Sequence, residues 1–343
     1  MPEIILPGTY VSVRDEGLIS AGGVISGNIG VVGTAASGTV NKVEILGSLT
    51  EAGEVFGAKK SGLNLLDTLE LIYGNGGRTV YAIRANSDTP EDYKAALAPL
   101  EKEIVNIVLL AGQDSSQVEM VAALQGHIAS TSQIKRERIG LIGCATADDV
   151  ETIAAHPLNS ERVIFAGPGI KIGGVDYSGA YTAAALAGLL SSLPVQASPT
   201  NKTLNVQGLT EEFTSSELEK LVMSRVLAVE KRKGYRVVKG ITTATNSAWH
   251  QITTRRIIDY ATYGVRSCCD PYIGKLNNDR VRSAMKATID SFLTGMAADE
   301  ALVSYELEVG ATRAQEIAGE CIVTMTLRPT FSIDFIKVTM YLG

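Results

Sequence analysis

Apolar residues along this chain follow two rhythms. From Ile29 to about Ser192, short continuous apolar runs alternate with stretches whose apolar positions recur every three or four residues. The runs are "IGVVGTA" (29–35), "TVYAIRA" (79–85), "IVNIVLLAG" (104–112), "RIGLIGC" (138–144) and "RVIFAGP" (162–168). Helical spacing fills 63–73, 90–101, 116–130, 148–155 and 178–192. A continuous apolar run of strand length needs both of its faces covered. Runs of that kind separated by amphipathic helices predict a mainly parallel sheet between two helix layers. The expected fold class is therefore α/β, an open α/β sandwich followed by a smaller α+β unit.

The rhythm breaks at "SLPVQASPTNKTLN" (192–205), where two prolines and polar residues suit a crossing between domains. Beyond it the pattern predicts mixed strands near 225–231 and 236–240, and a long helix from Trp249 to about Ser267. A second helix is expected over 277–296, with Asn278 or Asp279 as its N-cap. Antiparallel-type strands follow at 302–309 and 320–331. The expected divisions are an extended arm and bend (1–28), the sandwich (29–200), the α+β unit (201–335) and a terminal strand (336–343).

The last strand holds a change of phase. Val323, Met325, Leu327, Phe331, Ile333 and Phe335 are apolar at odd positions, whereas Ile336, Val338, Met340 and Leu342 are apolar at even ones. A slip of one residue moves a strand's apolar set to its other face. Two readings follow. The strand is intramolecular with a β-bulge at 335/336, or 323–327 pairs at home while 336–342 adds to the sheet of another copy. The N-terminal stretch poses the same choice. Ile5, Tyr10, Val11 and Val13 are β-formers beside the helix-breaking Pro7-Gly8, and they form either an edge strand or an arm.

Composition narrows the function classes. The 343 residues are 45% hydrophobic and 20% charged, with net charge −6. No global attraction to nucleic acid or an anionic membrane is expected. Apolar runs such as "AAALAGLL" (183–190) are too short to span a bilayer. "MPEIILPG" lacks a basic region followed by a long apolar one, so no secretory leader is expected. The three histidines, His127, His156 and His250, show no metal-ligand spacing. Cys144, Cys268, Cys269 and Cys321 form no C-x-x-C pair and are expected as reduced thiols, with a later disulfide outside the cell left open. There is no G-x-S-x-G elbow and no Walker A loop. "GNIGVVG" (27–33) has the wrong glycine spacing for a dinucleotide turn, and "GPGIKIGG" (167–174) does not lead into a helix. No catalytic, cofactor or metal residue is assigned. A soluble α/β hydrolase or nucleotide-dependent enzyme stays as the alternative, since fold alone does not decide function.

Charge is uneven in one place. Lys275, Arg280, Arg282 and Lys286 surround a single acid, Asp279, so 275–286 carries +3 in an acidic chain. The stretch is either a solvated helix face or a surface for an acidic partner. Arg255 and Arg256 open the preceding helix, and one is expected to pair with a carboxylate inside the C-terminal unit. Trp249, the sole tryptophan, is expected in the core.

Several stretches, in order, resemble the contractile tail sheath proteins of bacteriophages and related injection machines such as R-type pyocins. They are "LPGTYV" (6–11), "GNIGVVGTAASG" (27–38) with "EAGEVFG" (51–57), "LIYGNGGRTVYAIRA" (71–85), "TRRIIDYATYGVRSCCDPYIGKLNN" (254–278) and "MTLRPTFSIDFIKVTMYL" (325–342). Ser37-Gly38 stands where members often carry Gly-Pro, a loop difference. The chain is short for the family, which implies no extra surface domains. The resemblance implies a subtilisin-like but non-catalytic middle domain. It also implies arms that add strands to neighbours: Ile5, Tyr10, Val11 and Val13 at one end, and Ile336, Val338, Met340 and Leu342 at the other. Lys275, Arg280, Arg282 and Lys286 would then face an acidic tail tube. The implied partners are further copies in stacked six-membered rings, the tube protein, and baseplate and tail-terminator proteins, with no direct nucleic acid and no membrane. Assembly in the bacterial host cytoplasm, into a phage tail or bacteriocin-like particle, is implied as well. Contraction would run on the energy difference between two packings, with no cofactor.

Overall fold

The computed structural model describes residues 26–341. The chain begins with β1 (Ile29–Gly33), β2 (Val43–Leu46), α1 (Leu49–Phe56), α2 (Leu65–Gly74), β3 (Val80–Arg84) and α3 (Pro90–Leu97). It continues with β4 (Ile107–Asp114), α4 (Val118–Gln133), β5 (Ile139–Gly143), α5 (Val150–Ala154) and β6 (Val163–Gly167). A short excursion, β7 (Ile170–Ile172) and β8 (Val175–Tyr177), precedes α6 (Gly179–Ser192). Then come β9 (Thr203–Leu204), β10 (Gly208–Leu209), α7 (Ser215–Met223), β11 (Leu227–Lys231) and β12 (Tyr235–Val237). The last part holds α8 (Ile252–Cys269), α9 (Asp279–Ala298), β13 (Leu302–Gly310), α10 (Arg313–Ala318) and β14 (Ile322–Pro329).

The large sheet has the order β2-β3-β1-β4-β5-β6-β11-β12-β9. Neighbours from β3 to β11 run parallel, and β2, β12 and β9 turn antiparallel at the margins. β1, β5 and β6 are buried at every residue, as their unbroken apolar sequences require. One face packs on α1, α2 and α6, and the other on α3, α4, α5 and α7. This is the expected sandwich. Its tightest point is Gly143, where a β-carbon would come within 1.8 Å of the Gly179 backbone at the start of α6.

The sandwich does not stop at 200. β11 lies parallel to β6, with Leu227 opposite Ala166, and β12 and β9 extend the same sheet. The chain leaves after α6, loops through the proline-rich stretch, and returns. The expected division at 200/201 therefore gives way to one after β12. β11 misleads because it ends in Glu230-Lys231 and pairs antiparallel with β12, which reads like a strand of a separate sheet.

The remaining unit is built on α8 and α9, with a β13–β14 hairpin against them. Asn278 caps α9, accepting from Val281 N at 3.0 Å. Gly264 lets the helices close, since a β-carbon there would meet Phe292 at 2.0 Å. In the hairpin Tyr305, Leu307 and Val309 pair with Leu327, Met325 and Val323, and these residues face the helices.

Candidate assembly surfaces

Open α/β sheets hold ligands beyond the carboxyl ends of their strands, where the strand order reverses. Here that place lies between β1 and β4, because the chain runs from β1 to β3 on one side and then crosses to β4 on the other. It is filled from within. Asn64 Oδ1 accepts from Thr34 N (2.8 Å) and Thr34 Oγ1 (3.2 Å), and its Nδ2 donates to Tyr93 OH at 2.9 Å. Gln113 Nε2 donates to Asp88 Oδ1 (2.7 Å) and to Tyr93 OH (3.2 Å), and that hydroxyl donates to Ala111 O at 3.3 Å. Burial, then the Asp88 charge, raises the Tyr93 phenol above its ordinary range, so it stays protonated. The polar groups that would meet a ligand satisfy one another.

The titratable side chains elsewhere in the sandwich are likewise structural. Burial, with the Asp148 charge second, pushes the Cys144 thiol up to about 12, which removes it as a nucleophile. Burial, with Arg138 second, pushes His127 down to about 4, and its Nε2 sits 2.9 Å from Arg138 Nη1. His156 Nδ1 accepts from Leu158 N at 3.2 Å, and its Nε2 lies 2.8 Å from Ser224 O.

The seam between the two units is a row of charges on α8. Asp259 accepts a two-pronged contact from Arg162 (2.7 and 3.0 Å) and a third bond from Arg255 at 2.7 Å. Arg255 also reaches Glu161 at 2.8 Å, and its guanidinium lies 4.5 Å from the Trp249 ring centre. Arg266 grips Glu137 with bonds of 2.7 and 2.6 Å. Burial opposes ionisation of Glu137, yet hydrogen bonds from Arg266 hold its carboxyl below the usual range. Glu137, Glu161 and Arg162 stand just before β5 and β6, so α8 is tied to the amino ends of those strands. Two expectations change here. Arg255 pairs across the seam as well as within its own unit, and half-buried Trp249 stacks on Arg255 instead of filling a core. Arg256, buried, takes no carboxylate among the described residues. It donates to Leu193 O (3.0 Å), Pro194 O (3.4 Å) and Ser26 O (3.4 Å), and burial lowers it to about 10.

The hairpin is the smallest of the three sheets among the described residues, and both of its strands are edge strands. β13 and β14 pair only with each other, so each leaves one edge open among the described residues. After Pro329 the chain has no strand pairing through Tyr341 among the described residues. Its first part is clasped by polar side chains. Gln251 Oε1 accepts from Ser332 N and Ser332 Oγ, both at 3.1 Å, and Gln251 Nε2 donates to Ser332 O (3.3 Å) and Asp334 Oδ2 (3.1 Å). Lys239 Nζ stands 3.5 Å from Asp334 and 5.1 Å from the centre of the Phe335 ring. The alternate residues Phe331, Ile333 and Phe335 face outward. Beyond the clasp Ile336, Val338 and Met340 are 82%, 76% and 85% exposed. The change of phase at 335/336 thus falls where the tail leaves its last anchor, although strand pairing stops earlier, at Pro329. Leu342 and the N-terminal residues Ile5, Tyr10, Val11 and Val13 lie outside the described residues.

The basic stretch divides. Arg282 is held by Asp279, by Glu316 Oε1 at 3.0 Å and by Asn277 Oδ1 at 2.8 Å, which staples α9 to α10. It is therefore a structural clamp and not a free cation. Lys275, Arg280 and Lys286 stay exposed, with Lys275 Nζ 4.7 Å from the centre of the Tyr272 ring. Sequence reading missed the clasp residues Lys239 and Gln251, which stand some 80 or more positions from their partners and carry no local signal.

Comparison with known proteins completes the picture. The family profile for the phage tail sheath protein central domain matches residues 86–243, and that for the phage tail sheath C-terminal domain matches 244–343. Their junction falls just after β12, where the large sheet ends. No curated protein matches the chain. Among solved structures it is similar to the helical sheath of the anti-feeding prophage in the contracted state. The identity is 18% and the TM-score 0.79, over 98% of this chain and 99% of that one. The PVC sheath complex of an extracellular contractile injection system, also contracted, gives 15% and 0.78 over 99% and 98%. A sheath tail protein from Listeria innocua gives 13% and 0.72 over 91% and 94%. At such identities the likeness speaks for a shared fold.

Proposed function

The chain belongs to the phage tail sheath protein family, and from that membership we propose that it is the self-assembling subunit of a contractile sheath, joined to its neighbours by exchange of terminal strands. It is a structural protein, not an enzyme. One observation carries the strand-exchange reading: among the described residues, a two-stranded sheet with both edges open is followed by a tail whose apolar residues have no cover. Open edges and uncovered apolar residues are costly alone and are matched by strand addition between copies. Ile336, Val338, Met340 and Leu342 are the donated anchors, and Ile5, Tyr10, Val11 and Val13 serve the second arm.

Copies stack as six-membered rings around a tail tube, between a baseplate and a tail terminator. Lys275, Arg280 and Lys286 face the tube, whereas Arg282 holds its own helix. The likeness to sheaths solved in the contracted state supports contraction as the working stroke. Assembly takes place in the host cytoplasm, and the particle drives its tube through an envelope. No described helix is long and apolar enough to cross a membrane.

Deleting 336–343 tests the core of this reading. The shortened chain should melt like the full one yet form no rings or tubes in electron micrographs and no fast-sedimenting polymer. Tubes from the shortened chain would overturn strand donation.

A further inference from the structure

Two sulfurs meet one cavity where α8 ends and β14 begins. Cys269 is the last residue of α8, and Cys321 stands immediately before β14. Both pack against the core of the C-terminal unit. Both line a cavity of about 290 Å³ whose wall includes the exposed Ile273 and Leu276. Cys321 is in phase with Val323, Met325 and Leu327, and it turns to the helices as they do. Asn277 Nδ2 donates to Glu320 O at 2.8 Å, which ties the chain beyond α8 to the residue before Cys321.

The other two cysteines stand apart from this pair. Cys144 follows β5 in the sandwich. Cys268 precedes Cys269 on α8, where successive side chains point about 100° apart and do not face each other. It is turned into the core, at 1% exposure. Within the pair the two thiols differ. Burial, then the Asp270 charge, then Cys321 raise the Cys269 thiol above its ordinary range, so it holds its proton. Cys321 Sγ donates only weakly, to Gly310 O at 3.7 Å. The first attack on a reagent therefore falls to Cys321.

We infer that Cys269 and Cys321 form a modification site, which a low-molecular-weight disulfide of the glutathione type converts into an internal bridge. The Cys321 thiolate attacks one sulfur of the reagent, whose S–S bond breaks and releases one thiolate. A mixed disulfide is left on Cys321. Cys269 gives its proton to solvent, and its sulfur attacks the Cys321 sulfur and expels the second thiolate. Two protein thiols are oxidised, and one reagent disulfide is reduced to two thiols. A reducing cytoplasm keeps the pair open, and the oxidising surroundings outside a cell close it. That timing rests on the sheath reading, whereas the pairing does not. The bridge fixes β14 at the end opposite the tail. Ser332 and Asp334 are clasped just past Pro329, and the bridge ties the start of the strand to α8.

Oxidation of the full-length chain tests it. Protein purified with a reductant is desalted and incubated with glutathione disulfide. Thiols titrated in denaturant should fall from four to two. The peptide holding Cys269 should be joined to the one holding Cys321, in a chain that stays monomeric on unreduced denaturing gels. Cys268→Ala should keep the link, while Cys269→Ser and Cys321→Ser should each abolish it. The bridge should raise the melting temperature by about 5 °C or more, a rise absent from Cys321→Ser treated alike. Four free thiols after oxidation overturn the inference. So does a lasting mixed disulfide on Cys321, which would show that the two sulfurs do not meet, and so does a link through Cys268 or between chains. A bridge without a rise in melting temperature overturns its role as a staple. None of these results touches strand donation, which the 336–343 deletion tests.

Discussion

The nine-stranded sandwich and the β13–β14 hairpin obey the same strand chemistry and end in opposite states. In the sandwich β1, β5 and β6 are buried throughout, two helix layers cover the sheet, and the ligand crevice is closed by Asn64, Tyr93 and Gln113. In the hairpin one face is covered, the other is wet, and both edges are open among the described residues. Natural proteins usually blunt such edges. Here the edges are eight or nine residues long and lie next to an exposed apolar tail. The difference teaches where this chain completes its interactions. The sandwich buries both faces of its sheet within the subunit, whereas the hairpin buries one face and is edge on both sides among the described residues.

Substitutions can break that contrast. The largest effect is expected at Gly143. Valine there would drive its side chain into the Gly179 backbone, with a loss of more than about 4 kcal/mol and no soluble folded chain. A normal melting curve for Gly143→Val would show that the sandwich is looser than described. Asp259→Ala comes next, since it leaves Arg162 and Arg255 partly unpaired at the half-buried seam. A loss of about 3 kcal/mol is expected in denaturant unfolding, with the transition splitting as the units uncouple.

A third effect is set by pH. His127 is held near 4 in the fold, against 6.5 when free. Below 6.5 the unfolded chain takes the proton first, so stability falls as pH drops from 6.5 to about 4, then levels off for this group. The loss is on the order of 3 kcal/mol, and His127→Gln should remove that part of the slope in pH-dependent melts. The smallest change in stability belongs to the tail. Val338→Asp should shift the melting temperature by no more than about 1 °C while abolishing polymer in sedimentation. A large shift would mean that the tail packs at home.

Much of the sandwich was legible in the sequence because covered parallel strands must be continuously apolar. The runs at 29–35, 79–85, 138–144 and 162–168 each contain one, and the run at 104–112 covers most of β4. β11 carried a weaker signal, with a charged end and an antiparallel neighbour, and the boundary was misplaced with it. α7 and α10 went unread, although Thr214 with Glu217 and Thr312 with Gln315 form capping boxes that mark helix starts. In the tail, the change of phase located the point where the anchors end. It could not disclose the clasp, because Lys239 and Gln251 meet Ser332 and Asp334 only through the fold. Nor could a local charge count separate Arg282, tied to Glu316 from α10, from its exposed neighbours.

The clasp has a mechanical consequence. A tension applied at Ile336 would otherwise travel straight into β14 and open the hairpin one residue pair at a time, the weakest way to load a sheet. Ser332 and Asp334 interrupt that path. Gln251 begins α8 and Lys239 follows β12, so the pull is diverted into the seam where Asp259 and Glu137 bind their arginines. The tail is thus moored to both halves of the subunit, like a cable clamped to its housing before it reaches the solder joint.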